Sequence, residues 1–153
     1  MTGLDLAATP VLLVMLAALT VTDLRCRRLP DRLTLPLVIA GLLLAVPQGL
    51  PQVQSRLIGA ALGFGIFWAI GAAFFRLRGV EGLGLGDAKL FAAAGAWLGW
   101  TPLPVVLLVA SFGGLGQSLI GRSRADREIP FGPWLCLGFA ACWMARLIWH
   151  GSI

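Results

Sequence analysis

The feature that most constrains this chain is a run of long apolar segments with almost no charge inside them. Six can be marked, at about residues 4–22, 33–46, 57–75, 87–100, 103–120 and 131–149. A helix needs about 20 apolar residues to cross roughly 30 Å of hydrocarbon. Lipid offers backbone groups no water, so only helices and closed barrels satisfy them there. Composition agrees with the segments: 58% of the 153 residues are hydrophobic and 12% are charged, about half of the roughly 25% usual in soluble domains. Too few polar groups exist to cover a soluble globule. An ordinary soluble enzyme, a disordered chain and a nucleic-acid-binding module are excluded. The expected fold is an all-α integral membrane protein, a six-transmembrane-helix bundle, with residues 1–153 forming a single membrane-embedded domain.

The charges predict how such a bundle is oriented. Net charge is +5, and ten of the twelve basic residues fall in three alternate connections. These are Arg25, Arg27, Arg28 and Arg32; then Arg76, Arg78 and Lys89; then Arg122, Arg124 and Arg127. Six crossings put the three connections on one side. The positive-inside rule makes that side cytoplasmic, with both termini periplasmic or outside. The first segment has Asp5 at its start, no basic residue before it and its arginines after it, the reverse of a secretory signal, so it reads as a retained helix. Two small-residue motifs, Gly59 with Gly63 and Gly95 with Gly99, read as close helix contacts. Trp100, Trp134 and Trp149 near segment ends read as interfacial anchors. The fourth segment has 14 residues and would rise only about 20 Å as a helix. A short crossing with a Gly-rich entry is tolerated where it is buried in protein or lines a wet cavity.

Few residues can carry chemistry. Cys26, Cys136 and Cys142 form no CxxC pair and His150 is the only histidine, so no metal site and no cofactor are expected. Of seven acids, six lie in or beside the basic connections: Asp23, Asp31, Glu81, Asp87, Asp126 and Glu128. Asp23 ends the first apolar segment and Asp87 opens the fourth, near the same membrane face. A carboxylate there is costly unless solvated or paired, which makes it a functional candidate. Simpler roles stand beside this one: Asp87 as a helix N-cap, and Asp23 as the partner of Arg27 four residues on. Two carboxylates on one face also suit aspartic-protease chemistry. One ionised Asp takes a proton from water while its protonated partner polarises a carbonyl, because like charges at close range cannot both ionise. Gly84 and Gly86 before Asp87 would let backbone approach a bound peptide and adopt positive φ.

At this point the residues resemble a family. TDLRCRRLPDRLTLPL (residues 22–37), GLGLGDAKLFAAAGAWLGW (82–100) and IPFGPWL (129–135) are similar to the signature regions of the type IV prepilin peptidases, membrane aspartyl proteases named for a GxGD motif. GxGD alone would be weak; GxGDxKL followed by AxxGAxxG, with DxR…LPDRLTLP upstream, is specific. The resemblance covers almost the whole chain and implies a six-helix catalytic core. It makes Asp23 and Asp87 the catalytic pair, leaves Asp31 outside it, and makes Gly84, Gly86 and Lys89 motif-supporting residues. Lys89 reads equally as a snorkelling interfacial cation. The implied reaction is removal of the basic leader of a prepilin or pseudopilin precursor, after a glycine, at the cytoplasmic face of a bacterial inner membrane. Partners are then that protein substrate and the lipid bilayer, with no nucleic acid; oligomeric state is left open. Glu81, Asp126 and Glu128 are candidate leader-binding acids. Longer members add an N-terminal region with paired CxxC motifs, and many also methylate the cut pilin. This sequence shows no such region, so N-methyltransferase activity is not expected, and the compact form resembles the short peptidases of tight-adherence (Flp/Tad-type) pili or archaeal preflagellin peptidases, of which the bacterial reading is taken.

Helix polarity suggests roles. Asp87 at a helix N-terminus is favoured as the ionised base, and Asp23 at a C-terminus as the protonated acid. The alternative from another class is a small proton-coupled transporter or channel using the same paired acids. A third is a non-catalytic assembly scaffold, in which both aspartates would be dispensable.

Overall fold

A computed structural model describes residues 3–79, 84–120 and 131–151. Among them lie six α-helices: α1 (Gly3–Cys26), α2 (Asp31–Leu43), α3 (Leu50–Arg78), α4 (Leu85–Leu98), α5 (Leu103–Ile120) and α6 (Gly132–Gly151), with a 3-10 turn at Val46–Gln48 between α2 and α3. The all-α expectation holds for these residues. Three stretches, Gly3–Cys26, Asp31–Gln48 and Leu50–Leu77, are long and apolar enough to cross a membrane, and Leu103–Leu119 is a shorter apolar helix. Large apolar side chains such as Val14, Ile39, Trp68, Phe112 and Ile148 are exposed on α1, α2, α3, α5 and α6. That outer surface suits lipid, not water.

Local chemistry explains where helix ends depart from the apolar pattern. α1 continues past residue 22 to Cys26, where Arg27 takes a left-handed φ of 51° and its N–H donates to the Asp23 carbonyl at 2.8 Å. That is an αL stop, and it puts Asp23 inside the last turn of α1 instead of beyond it. α3 starts at Leu50, seven residues before the expected start at 57, because Pro51 in its first turn has no N–H to lose. Gly49 (φ 96°) precedes α3, and Gly79 (φ 66°) ends it with an N–H donated to the Phe75 carbonyl at 2.8 Å.

α4 is the centre of the packing. Every residue from Leu90 to Leu98 is buried, and a helix apolar all round belongs inside a bundle. α2, α3, α5 and α6 all pack on it. The two small-residue motifs meet each other: a Cβ on Gly95 would lie 2.1 Å from the Gly59 carbonyl oxygen, and one on Gly63 2.6 Å from that of Phe91. Only glycine lets the α3 and α4 backbones come that close. Trp97 of α4 packs edge-on against Trp143 of α6 at 5.2 Å. Both indoles are tied down, Trp97 Nε1 donating to the Leu37 carbonyl at 2.7 Å and Trp143 Nε1 to Thr9 Oγ1 at 3.0 Å.

Candidate active site

The end of α1, the connection after it and the start of α4 enclose a cavity of about 310 Å³. Asp23, Arg27, Arg28, Leu29, Asp31, Gly84, Leu85, Gly86, Asp87 and Lys89 line it. Asp23 and Asp87, 64 positions apart in sequence, are thus brought to one hollow, with Gly84, Gly86 and Lys89 beside them. The αL turn at Arg27 folds the chain back over α4, and the buried Leu29 seats on Gly86, where a Cβ would stand 2.8 Å from Leu29 Cβ.

The glycines therefore act differently from expectation. Gly84 is the extended N-cap of α4 (φ −69°, ψ 137°), and neither it nor Gly86 has a positive φ. Gly86 lies inside the helix, so its missing side chain makes room for Leu29. A Cβ on Gly84 would meet nothing nearer than 3.8 Å.

Asp87 stands in the first turn of α4, half-buried, and no side chain caps that helix. The capping role is therefore not the one it plays. Its carboxyl is close enough to Asp23 to feel that charge. Asp23 is 7% exposed. Its carboxyl abuts Gly132, the first residue of α6, whose amide faces it. A Cβ on Gly132 would lie 2.6 Å from Oδ2 and 2.9 Å from Cγ. Oδ2 is buried with no hydrogen-bond partner among the described residues. The role assignment from helix polarity loses its basis here. Although Asp23 ends its own helix, its carboxyl also faces the N-terminus of α6, so both acids sit at helix N-termini.

Lys89 does not pair with Asp87. It forms an ion pair with Asp31 Oδ1 at 2.5 Å, joining α4 to the start of α2. Two residues along a helix is a rotation of about 200°, so Lys89 and Asp87 point to different neighbours. Asp31 stays outside the acid pair but forms part of the cavity wall. Glu81, Asp126 and Glu128 lie outside the described residues.

Sequence reasoning passed over two features. One is Gly132, quoted in a motif but given no task. The other is a buried polar cluster on the first turn of α1 and the start of α3. Arg56, fully buried, donates through Nη1 to the Gly41 carbonyl at 2.9 Å and through Nη2 to Gln48 Oε1 at 3.1 Å. It lies 3.7 Å from Asp5 Oδ1, which also accepts from Gln48 Nε2 at 3.0 Å. The signal was present: Asp5 and Arg56 are opposite charges on the charge-poor side, and charges inside apolar helices find each other.

The profile of the type IV leader peptidase family matches residues 10–119, a span that includes Asp23, Asp31, Asp87 and Lys89. The chain is 45% identical over 123 residues to the prepilin leader peptidase/N-methyltransferase of Escherichia coli (strain K12), covering 78% of this chain and 55% of that protein. It is 44% identical over 155 residues to the protein of the same description from Aeromonas hydrophila (99% and 52% covered). With that of Burkholderia pseudomallei (strain K96243) identity is 44% over 130 residues (82% and 42%). The chain spans about half the length of the curated relatives it matches. No solved structure matches it.

Proposed function

The chain belongs to the type IV leader peptidase family, and we propose that it is an aspartic endopeptidase that cuts the basic leader from type IV prepilin-like precursors, a class that includes those of Flp/Tad-type pili. The observation that carries this reading is the meeting of Asp23 and Asp87 in one cavity. Relatives bear the description prepilin leader peptidase/N-methyltransferase; the proposal concerns the first of those activities.

In the proposed mechanism the two carboxyls of this cavity share one proton, since both cannot ionise cheaply side by side. The ionised one takes a proton from water as the water oxygen attacks the scissile carbonyl carbon, and the other gives its proton to the carbonyl oxygen. A neutral gem-diol results. It collapses when the leaving nitrogen takes back the first carboxyl's proton, the C–N bond breaks, and a diol hydroxyl reprotonates the second carboxylate. Atoms and charges balance, and the pair returns to its starting state with no metal. Which carboxyl holds the shared proton belongs to the pair and not to either residue.

In the proposed arrangement six helices cross a bacterial inner membrane with both termini outside. The cavity then opens at the cytoplasmic face, where ten of the twelve basic residues lie. Glu81, Asp126 and Glu128 are the proposed contacts for the leader's positive charges. A proton-coupled transporter would place its acids near the midplane, between repeats. The two halves of this sequence show no such repeat, and both acids stand at helix ends lining one hollow, which favours hydrolysis. Co-expression with a model prepilin tests the proposal: Asp23→Asn and Asp87→Asn should each abolish the mobility shift of the processed substrate. Continued processing in either variant refutes the aspartic mechanism.

A further inference from the structure

We propose that Gly132 is a positioning residue for this reaction: its missing side chain at the start of α6 leaves the room in which the Asp23 carboxyl is held. The inference rests on the aspartic peptidase reading and adds a residue to it.

Tightly packed glycines in the bundle differ in what an added methyl group would strike: backbone at some, such as Gly63 and Gly138, and an apolar side chain at others, such as Gly41 and Gly113, whereas at Gly132 it is a carboxyl. At Gly63 it would meet the Phe91 carbonyl oxygen at 2.6 Å, and at Gly138, on α6 itself, the Val106 carbonyl oxygen at 2.7 Å. Backbone inside a helix cannot swing aside, so those glycines serve packing. At Gly132 the atoms in the way are Oδ2, Cγ and Cβ of Asp23, at 2.6, 2.9 and 3.4 Å. A side-chain tip can move. What yields to a methyl group there is therefore the carboxyl, by roughly 1 Å, the gap between 2.6 Å and ordinary contact beyond 3.4 Å.

Two further observations point the same way. Oδ2 is buried and has no hydrogen-bond partner among the described residues, so few contacts other than shape hold it. Such an orphan oxygen is expensive in a protein interior and calls for an explanation. The first N–H groups of a helix have no intrahelical acceptor, and the Gly132 amide faces this carboxyl. α6 thus presents to Asp23 a wall without a side chain, where a larger residue would push the carboxyl off line.

The test compares Gly132→Ala with Gly138→Ala, in detergent and with a model prepilin. A misplacement of about 1 Å near reacting atoms can cost on the order of 100-fold. For Gly132→Ala the expected result is a kcat lower by about 100-fold, KM within about twofold, and a melting temperature close to that of the parent chain. For Gly138→Ala it is a lowered melting temperature, with kcat per folded molecule unchanged. The infrared carboxyl band assigned to Asp23 by subtraction of Asp23→Asn should move in Gly132→Ala and stay in Gly138→Ala; that measurement needs no turnover. Full activity in Gly132→Ala, an unmoved Asp23 band, or loss of the folded form to the extent seen with Gly138→Ala each overturns the proposal. Processing that survives Asp23→Asn or Asp87→Asn would instead overturn the peptidase mechanism, whatever Gly132→Ala does.

Discussion

Replacing Arg56 with Met tests a fully buried charge and the groups that compensate it. The guanidinium is fully buried and makes two hydrogen bonds, to Gly41 O at 2.9 Å and Gln48 Oε1 at 3.1 Å, beside Asp5 at 3.7 Å. Hydrogen bonds to a charged group are worth about 1.5–3 kcal/mol each, while its orphaned Nε costs about 1–3 kcal/mol. The difference is a net of roughly 2–3 kcal/mol for the guanidinium in place. Removing one member of a buried ion pair costs more than its net worth, about 3–5 kcal/mol, because the other charge stays buried. The expected loss for Arg56→Met is thus about 3 kcal/mol, a drop in melting temperature of roughly 6–12 °C at the scale for chains of this length. The double variant Asp5→Leu, Arg56→Met should recover at least half, since replacing both charges with apolar groups removes the uncompensated one. Thermal unfolding in one detergent gives all three values, and the double-mutant cycle isolates the coupling. A loss below about 1 kcal/mol for Arg56→Met, or a double variant as unstable as the two singles added together, would refute the reasoning.

Three further outcomes follow from the same contacts. Lys89→Met and Asp31→Asn should each cost at most about 1 kcal/mol, because the pair is partly exposed (28% and 56%); a thermal double-mutant cycle coupling above about 2 kcal/mol would contradict this. Gly63→Ala should lower thermal stability by about 2 kcal/mol or more, since its methyl group meets the Phe91 carbonyl at 2.6 Å and overpacking costs about 1–3 kcal/mol; an unchanged melting curve would mean that α3 and α4 do not pack as described. Trp97→Phe should cost about 1–3 kcal/mol in the same assay, because it leaves the buried Leu37 carbonyl without the indole donor at 2.7 Å.

How much could be read from the chain beforehand differs by kind of feature. Apolar runs gave helix number and order, because lipid leaves no other backbone solution. The start of α5 was placed to the residue, at Leu103 after the turn residues that precede it. The ends of α1 to α4 moved by one to seven residues; the late end of α1 and the early start of α3 follow from Arg27 and Pro51, which act through φ and lost or gained N–H bonds that hydropathy does not see. Asp23 and Asp87 were legible as a pair, since an acid at the end of an apolar run has few innocuous explanations. The partner of Lys89 was not: it depends on the rotation of α4 against α2. Gly132 was not either, because what it touches comes from more than 100 positions away.

The register of α3 against α4 carries one consequence for the site. Ser55 faces Gly99, Gly59 faces Gly95 and Gly63 faces Phe91, four residues apart on each helix and running oppositely. One more turn places Asp87 level with Phe67, and Phe67 indeed packs on Phe91 at 4.6 Å and lines a hollow with Ala88. α3 continues eleven residues past Phe67 to Arg78, a rise of about 16 Å. Asp87 therefore does not stand at the rim of the bundle but well down the side of α3. α4 can start that deep because it is short and its first turn, with the Asp87 carboxyl, lines a cavity. Lengthening α4 by one turn ahead of Gly84 would leave that depth unchanged, since the glycine contacts set it. Breaking the Gly59–Gly95 contact would shift it, and with it the alignment of Asp87 to Asp23.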